Sequence, residues 1–197
     1  MNPNLLEKTA SLVAEDQRLT LYGVSWQQYE ILRATLDDFA GVRMTYLKGT
    51  LEIFMPGAKH EQTKSVIGRL IETYSLETNT RLYACGSTTY RKQAEERGLE
   101  PDESYCIGEL KEFPDLAIEV IVTSGSIDFL EVYSGLGISQ VWFWKNGQLS
   151  LYQLQAGQYE QIERSILLPN LDINLLMRCA NMPDQYDAVI EFRNGIS

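Results

Sequence analysis

The residues of this chain best suited to chemistry are three acids, Glu61, Asp102 and Glu119. Glu119 lies in the stretch LAIEVIV, which has the composition of a central strand. Successive side chains of a strand point to opposite faces, and both faces of this strand are otherwise apolar. A buried carboxylate costs several kcal/mol unless a cation, a hydrogen-bond donor or a proton compensates it. We therefore expect a compensating group opposite Glu119; the alternatives are a structural ion pair or a strand end closer to water.

A second acidic site precedes it at Glu100-Pro101-Asp102, where Asp102 opens the strand-like segment DESYCIG. If that strand pairs with LAIEVIV, Asp102 and Glu119 converge. Carboxylates on adjacent strands suit a hard divalent cation such as Mg²⁺ (or Mn²⁺), which takes oxygen ligands and needs only one or two protein carboxylates. The alternative is an ordinary turn, because Pro and Asp are common turn residues.

The third candidate is the start of a long predicted helix, where His60 and Glu61 are followed by Lys64. Glu61 would face the sheet if the apolar stripe of that helix does. The alternative is that His60 and Glu61 are exposed first-turn residues, with Glu61 favourable against the helix dipole. We expect this of His60, because it has no partner at a metal-ligand spacing such as H-E-x-x-H.

Several elements must position these acids. Ser25 and Gln28 indicate a capping box at the start of a helix over 25–38. The two runs that flank Lys48-Gly49 predict a hairpin, and residues 57–78 a long amphipathic helix. RLYACGSTTYRK is predicted to be a strand, followed by a polar turn over 94–98 and the two acid-bearing strands.

The C-terminal half continues the alternation of helices and strands. Residues 125–137 predict a helix, Asn146-Gly147 and Ala156-Gly157 separate three strands of a meander, and residues 167–176 enter a last helix. The tail from Asn181 onward is polar and carries no clear pattern. The order of elements predicts an α/β or α+β fold with one central sheet.

Composition limits the function classes. The chain has 197 residues, a net charge of −10 and 44% apolar residues, which predicts one globular domain and excludes disordered and collagen-like proteins. The acidic balance argues against indiscriminate binding to duplex phosphates or anionic membranes. Three widely spaced cysteines indicate neither a disulfide framework nor a zinc site, and the longest apolar run is too short to span a membrane. We expect a cytoplasmic protein.

Taken together, several segments in a fixed order resemble a known family, the bacterial Uma-type endonucleases of the restriction-endonuclease-like PD-(D/E)xK superfamily. The likeness runs from about residue 41 to residue 176. The segments that carry it are KGTLEIFMPGAKHEQTKSVIGRLIE, GSTTYRK, EPDESYCIGE, FPDLAIEVIVTSGSIDFLEVYSGLGISQVWFW and LLPNLDINLL.

The resemblance implies a mixed central sheet flanked by helices and a nuclease site. In that site Glu61 matches the helix acid, Asp102 the Asp after proline and Glu119 the Glu of the (D/E)xK element. The backbone carbonyl of Val120 would complete the shell of a bound metal ion with Asp102 and Glu119. The implied reaction is hydrolysis of a DNA phosphodiester by a metal-activated water.

The chain departs from the superfamily pattern at the lysine. The residue two after Glu119 is Ile121, and Phe129 stands where family members often carry a Lys or Arg at the start of the following helix. Lys64 is the nearest candidate to supply the missing cation, and Lys48 a more distant one. Loss of that cation weakens stabilisation of the transition state.

Three functions follow as hypotheses. The first is a Mg²⁺-dependent nuclease, and the second is a degenerate member that binds nucleic acid or a protein without cutting it. The third is an oligomerisation protein built on the aromatic strands around Trp142, which predict either a core or a subunit interface. We expect a homodimer without a membrane segment, divided into an N-terminal helical segment (1–40), a core (41–178) and a polar tail (179–197).

Overall fold

The structure is a computed structural model, and it describes residues 15–123 and 125–196. Within these residues the chain forms strands and helices in mixed order. The strands are β1 (Gln17–Tyr22), β2 (Arg43–Leu47), β3 (Thr50–Met55), β4 (Leu82–Ala84), β5 (Tyr90–Lys92), β6 (Arg97–Leu99), β7 (Glu103–Ile107), β8 (Leu116–Ile121), β9 (Gln140–Lys145), β10 (Gln148–Gln155) and β11 (Gln158–Ile162). The helices are α1 (Trp26–Leu36), α2 (Ala58–Glu77), α3 (Phe129–Leu136), α4 (Ile173–Ala180) and α5 (Gln185–Gly195).

The strands form two sheets. One has six strands in the order β11-β10-β9-β8-β7-β4, and the other has five in the order β1-β3-β2-β6-β5. In the six-stranded sheet β8 pairs with β9 in parallel and with β7 antiparallel, so β8 is a central strand of a mixed sheet. The predicted mixed α+β, restriction-endonuclease-like class is confirmed, whereas the expectation of a single sheet is wrong.

The segment predicted as one strand is divided between the two sheets. RLYACGSTTYRK forms β4 in the six-stranded sheet and β5 in the five-stranded sheet. Between them Gly86 adopts a positive φ of 57°, a conformation incompatible with a continuous strand. The five-stranded sheet also contains β1, which the sequence analysis does not predict.

The alternating faces of β8 separate two clusters of buried side chains. Leu116, Ile118 and Val120 pack with α2, α4 and α5 on one face of the six-stranded sheet. Ala117, on the opposite face, packs with α3 and with residues of the five-stranded sheet. Glu119 shares the Ala117 face, which places its carboxyl between the six-stranded sheet and α3.

The local predictions for the N-terminal half are confirmed. Ser25 and Gln28 form the capping box at the start of α1. Lys48 and Gly49 join β2 to β3 with positive φ at both residues, as the tight hairpin requires. The helix predicted over 57–78 is α2.

The C-terminal half shows more differences. The three-stranded meander and both of its Xaa-Gly turns are confirmed. The last predicted helix begins later, because Asp172 caps α4 by accepting hydrogen bonds from the backbone N–H groups of Asn174 and Leu175. The polar tail contains helix α5, whose Ala188 and Phe192 are buried in the main cluster.

Candidate active site

Pairing of β7 with β8 brings together two of the predicted acids. The antiparallel register aligns Glu103 with Ile118, so Asp102, one residue before β7, continues the register opposite Glu119. Both residues are buried, with relative exposures of 2% for Asp102 and 6% for Glu119. The convergence expected from sequence therefore exists in the fold.

Asp102 is surrounded by hydrogen-bond donors. Its Oδ1 accepts from the Arg43 guanidinium and lies 2.8 Å from His60 Nε2, and its Oδ2 accepts from the backbone N–H of Val120 at 2.7 Å. Burial alone raises the pKa of this carboxyl, but the His60 hydrogen bond, the Arg43 charge and the Val120 N–H outweigh it. The pKa of Asp102 is lowered, and its carboxyl is ionised at neutral pH.

Glu119 shows the opposite behaviour. Burial, followed by the negative charge of Asp102, raises the pKa of its carboxyl well above the ordinary value. The Tyr133 hydroxyl donates a hydrogen bond to Glu119, and Arg43 and Arg18 lie near enough to lower its pKa, yet they do not offset burial. The neighbouring cations and donors therefore do not fully compensate a negative charge on Glu119, whereas Asp102 beside it is ionised.

Arg43 lies on β2 of the five-stranded sheet and contacts Asp102, which precedes β7 of the six-stranded sheet. Its Nη1 pairs with Asp102 Oδ1, and its Nη2 lies 2.6 Å from Glu61 Oε1. The Arg43 side chain is 11% exposed, whereas that of Glu61 is 42% exposed. Glu61 thus lies at the rim of the site and reaches Asp102 only through Arg43.

His60 differs from the sequence-based expectation. It is 1% exposed, although the sequence predicted an exposed first-turn residue. The structure overturns that expectation because the first turn of α2 packs against Asp102 and Phe54. The Nε2 atom of His60 contacts Asp102, and its Nδ1 lies 3.8 Å from Asp16 Oδ2.

Lys64 lies one turn along α2 from His60. Its Nζ is 3.1 Å from Glu61 Oε2, and its positive charge also acts on Glu103. Lys64 therefore lies beside the rim acid Glu61. Lys48 pairs instead with Glu131, at 2.6 Å, near the start of α3.

A small cavity of about 20 Å³ lies between the acids, roughly the space of one water molecule. Its charged lining includes Arg18 and Glu52, which pair at 2.5 Å, in addition to Arg43, Asp102 and Glu119. Ile121 and Phe129, at the two positions where the superfamily pattern expects a cation, also line it. Apolar side chains thus occupy the expected cation positions.

Sequence reasoning missed Arg43, Glu52 and Tyr133. For Glu52 a signal existed, since it lies in the apolar strand TLEIFM just as Glu119 lies in LAIEVIV, and it is 1% exposed. Arg43 and Tyr133 carry no comparable signal, because their acidic partners belong to other elements, 59 and 14 residues away in the sequence.

Two buried carboxylates, those of Asp102 and Glu119, would be the oxygen ligands of a metal ion bound here. Within the described ranges, 15–123 and 125–196, no three His, Cys, Asp or Glu side chains are grouped so as to hold a metal ion. Mg²⁺, however, usually keeps several waters and needs only one or two carboxylates. Asp102 and Glu119 supply the hard oxygen donors that such an ion prefers. Burial and the charge of Asp102 raise the pKa of Glu119, so a bound cation would stabilise its ionised form.

The fold and this site define the class of the protein. A mixed sheet with an acid before one central strand, a second acid on its neighbour and a third on the adjacent helix is a restriction-endonuclease-like arrangement. A family model, Uma2, described as "Putative restriction endonuclease", matches residues 26–178, more than half of the chain. The chain belongs to the Uma2 family.

A search of curated proteins finds no match to the chain. Within the part of the chain that the structure describes, no helix combines the length and apolar character needed to cross a membrane.

Proposed function

We propose that this protein is a divalent-metal-dependent nuclease that hydrolyses phosphodiester bonds of DNA. The observation that carries the proposal is the pair of buried acids, Asp102 and Glu119, opposite each other on adjacent strands. Family membership supports a nuclease-like role. Arg43 pairs with Asp102, yet the pKa of the neighbouring Glu119 stays raised, so the two buried carboxylates favour a further cation, and a hard divalent ion is the simplest one.

Each predicted site residue has a role in this proposal. Asp102, Glu119 and the Val120 carbonyl would hold Mg²⁺ or Mn²⁺, which when bound lowers the pKa of water and offsets charge on the phosphate. Glu61, half-exposed at the rim, orients the attacking water toward the phosphorus. Lys64 neutralises Glu61, so that the rim repels a phosphate less strongly. Burial of Asp102 and Glu119 excludes bulk water and strengthens these interactions.

The first prediction concerns cleavage by the full chain. Wild-type protein should cleave a supercoiled plasmid, duplex DNA or single-stranded DNA in MgCl2 or MnCl2 but not in EDTA. The Glu119→Ala variant should lose at least about a hundredfold in rate, because it removes one of two buried ligands. Gel electrophoresis of the products measures both.

Glu160→Ala, which alters an exposed acid on the edge strand β11, is the matched control and should cleave like wild type. Wild-type protein that cleaves no DNA or RNA with either ion would contradict the proposal.

One observation favours a second candidate, a family member that binds without cutting. Ile121 and Phe129 line the cavity where a cation is expected, so the transition state loses one source of stabilisation. Calorimetry that detects Mn²⁺ binding, in a protein that cleaves nothing, would favour this candidate. Cleavage that is abolished by Asp102→Asn would exclude it.

The expected homodimer and cytoplasmic location belong to the proposal as well. Trp142 and Trp144 lie in the core, so the aromatic meander offers these two rings to the interior rather than to a partner. Light scattering on the purified chain measures its oligomeric state directly.

A further inference from the structure

The site contains a positive group that does not come from either position of the superfamily lysine. Those positions hold Ile121 and Phe129, which contribute apolar surface to the cavity. Within residues 15–123 and 125–196, the Lys or Arg that pairs with the buried Asp102 is Arg43, which approaches from β2 of the other sheet. Its location depends on the packing of the two sheets and not on any spacing within the acid-bearing motif.

The contacts of Arg43 differ from those of the other nearby cations. Arg18 is bound by Glu52 and lies over the Phe54 ring, with 3.9 Å from its guanidinium carbon to the ring centroid. Lys64 pairs with the rim acid alone. Arg43 pairs with two of the proposed site acids, Asp102 and Glu61.

The chemistry of the guanidinium suits a shared role. It is planar, remains charged at all accessible pH values and carries five N–H donors in a fixed fork that matches carboxylate and phosphate groups. The contacts to Asp102 and Glu61 engage its two terminal nitrogens. The N–H groups that contact Asp102 and Glu61 become available to a phosphate when those two contacts are released.

A divalent ion and Arg43 compete for the charge of the same carboxylate, that of Asp102. Asp102 Oδ1 already receives Arg43 and His60, and Oδ2 receives the Val120 N–H. An ion that binds Oδ1 must displace one of its two donors, and an ion on the remaining lone pair of Oδ2 lies close to the Arg43 charge. Of the three donors, Arg43 is the one that carries a permanent charge. Electrostatic repulsion between two cations makes Arg43 the donor that leaves.

We propose that Arg43 supplies the positive charge of the missing lysine: it is the internal counter-ion of Asp102 until a divalent ion displaces it, and it then binds the phosphate of the nucleic acid. This inference rests on the proposed nuclease function for its second half only. Competition between Arg43 and the ion is a property of the free protein.

The test is titration of MnCl2 into the full-length chain by calorimetry, together with the cleavage assay. Arg43→Met should bind Mn²⁺ about tenfold more tightly than wild type, because Asp102 loses its competing cation. The same variant should cleave at least about a hundredfold more slowly, because the phosphate loses its cation. A merely structural role would weaken both measurements together.

Two further variants complete the design. Arg178→Met removes an exposed arginine on α4 that pairs with Glu191, and it should match wild type in both measurements. Arg43→Lys keeps the charge but replaces the fork by a point charge, so its gain in Mn²⁺ affinity should be smaller, about threefold. If Arg43→Met does not fold, the Mn²⁺ affinity of Arg43→Lys relative to wild type tests the inference.

The outcomes separate this inference from the proposed function. Unchanged or weaker Mn²⁺ binding by the Arg43 variants overturns the inference, even if wild type cleaves DNA. Tighter Mn²⁺ binding by Arg43→Met in a protein that cleaves nothing supports Arg43 as the counter-ion of Asp102 and contradicts the nuclease function.

Discussion

At the scale of single residues, adjacent carboxyl groups of this site have opposite pKa shifts. Asp102 is ionised because three donors surround it, whereas Glu119 has one strong donor and an anionic neighbour. Glu103, next along β7, points to the other face, toward α2. Its pKa is raised to about 7, mainly by burial, with a smaller upward contribution from Glu72, although the positive charge of Lys64 acts in the opposite direction.

The second prediction follows from Glu103. The pKa of Glu103 is higher in the folded protein than in the unfolded chain, so the folded state binds its proton more tightly. The resulting contribution to the free energy of unfolding is complete below the pKa of the unfolded chain and is lost as pH rises through about 7. Glu103→Gln, which mimics the protonated acid, should leave the free energy of unfolding unchanged at pH 4. At pH 8 the variant should be more stable than wild type by about 1 kcal/mol, after allowance for partial exposure.

Urea unfolding at the two pH values measures this difference. The control Glu160→Gln, at an exposed position, should alter the free energy of unfolding by no more than about 0.5 kcal/mol at either pH. An equal effect of Glu103→Gln at pH 4 and pH 8 would exclude titration of Glu103 as the cause.

At the scale of elements, α5 supports the helix that carries Glu61. It packs with α2 and α4 in the cluster that covers one face of the six-stranded sheet. The sequence did not predict this helix, because only Ala188 and Phe192 of its residues are buried and the other side chains are polar or partly exposed. Asp184 caps it through hydrogen bonds from the backbone N–H groups of Tyr186 and Asp187.

The third prediction tests that role. Phe192 is 1% exposed, so Phe192→Ala should lower the free energy of unfolding by about 3–5 kcal/mol, the usual cost of removing a buried aromatic ring. Tyr186→Ala, on the same helix but 68% exposed, should change it by less than about 0.5 kcal/mol. Urea denaturation followed by far-UV circular dichroism measures both, and a Phe192→Ala variant as stable as wild type would show that α5 contributes no core packing.

At the scale of the whole molecule, the net charge of −10 limits nucleic-acid binding. The cations near the site are few: Arg18 and Arg43 line the cavity, Lys64 lies at its rim, and the exposed Lys59 lines the neighbouring groove beside Val120. The rest of the surface carries an excess of acids and repels a polyanion.

The fourth prediction is a shallow salt dependence. In EDTA Arg43 stays paired with Asp102, so the three remaining cations, Arg18, Lys59 and Lys64, give about three phosphate contacts. These contacts give a slope of roughly −3 in a plot of log affinity for duplex DNA against log KCl concentration. Fluorescence anisotropy with a labelled duplex in EDTA, where no hydrolysis is expected, measures the slope. A slope steeper than about −6 would reveal a second basic surface away from the cavity.

The sequence by itself determined the acid-bearing strands, the capping box, the hairpin turns and the long helix α2. These features depend on local patterns: alternation in LAIEVIV, helical spacing of apolar residues, and Xaa-Gly turns with positive φ. Adjacency of the acids was predicted on the condition that their two strands pair, and the structure shows that pairing.

Only the tertiary structure decided which cation meets those acids. Arg43 reaches Asp102 across a separation of 59 residues, and Tyr133 reaches Glu119 from α3. Burial of His60 depends on the packing of α2 against Asp102 and Phe54. Periodicity reveals that a buried charge needs a partner, but the identity of the partner depends on how the two sheets pack, which no local pattern encodes.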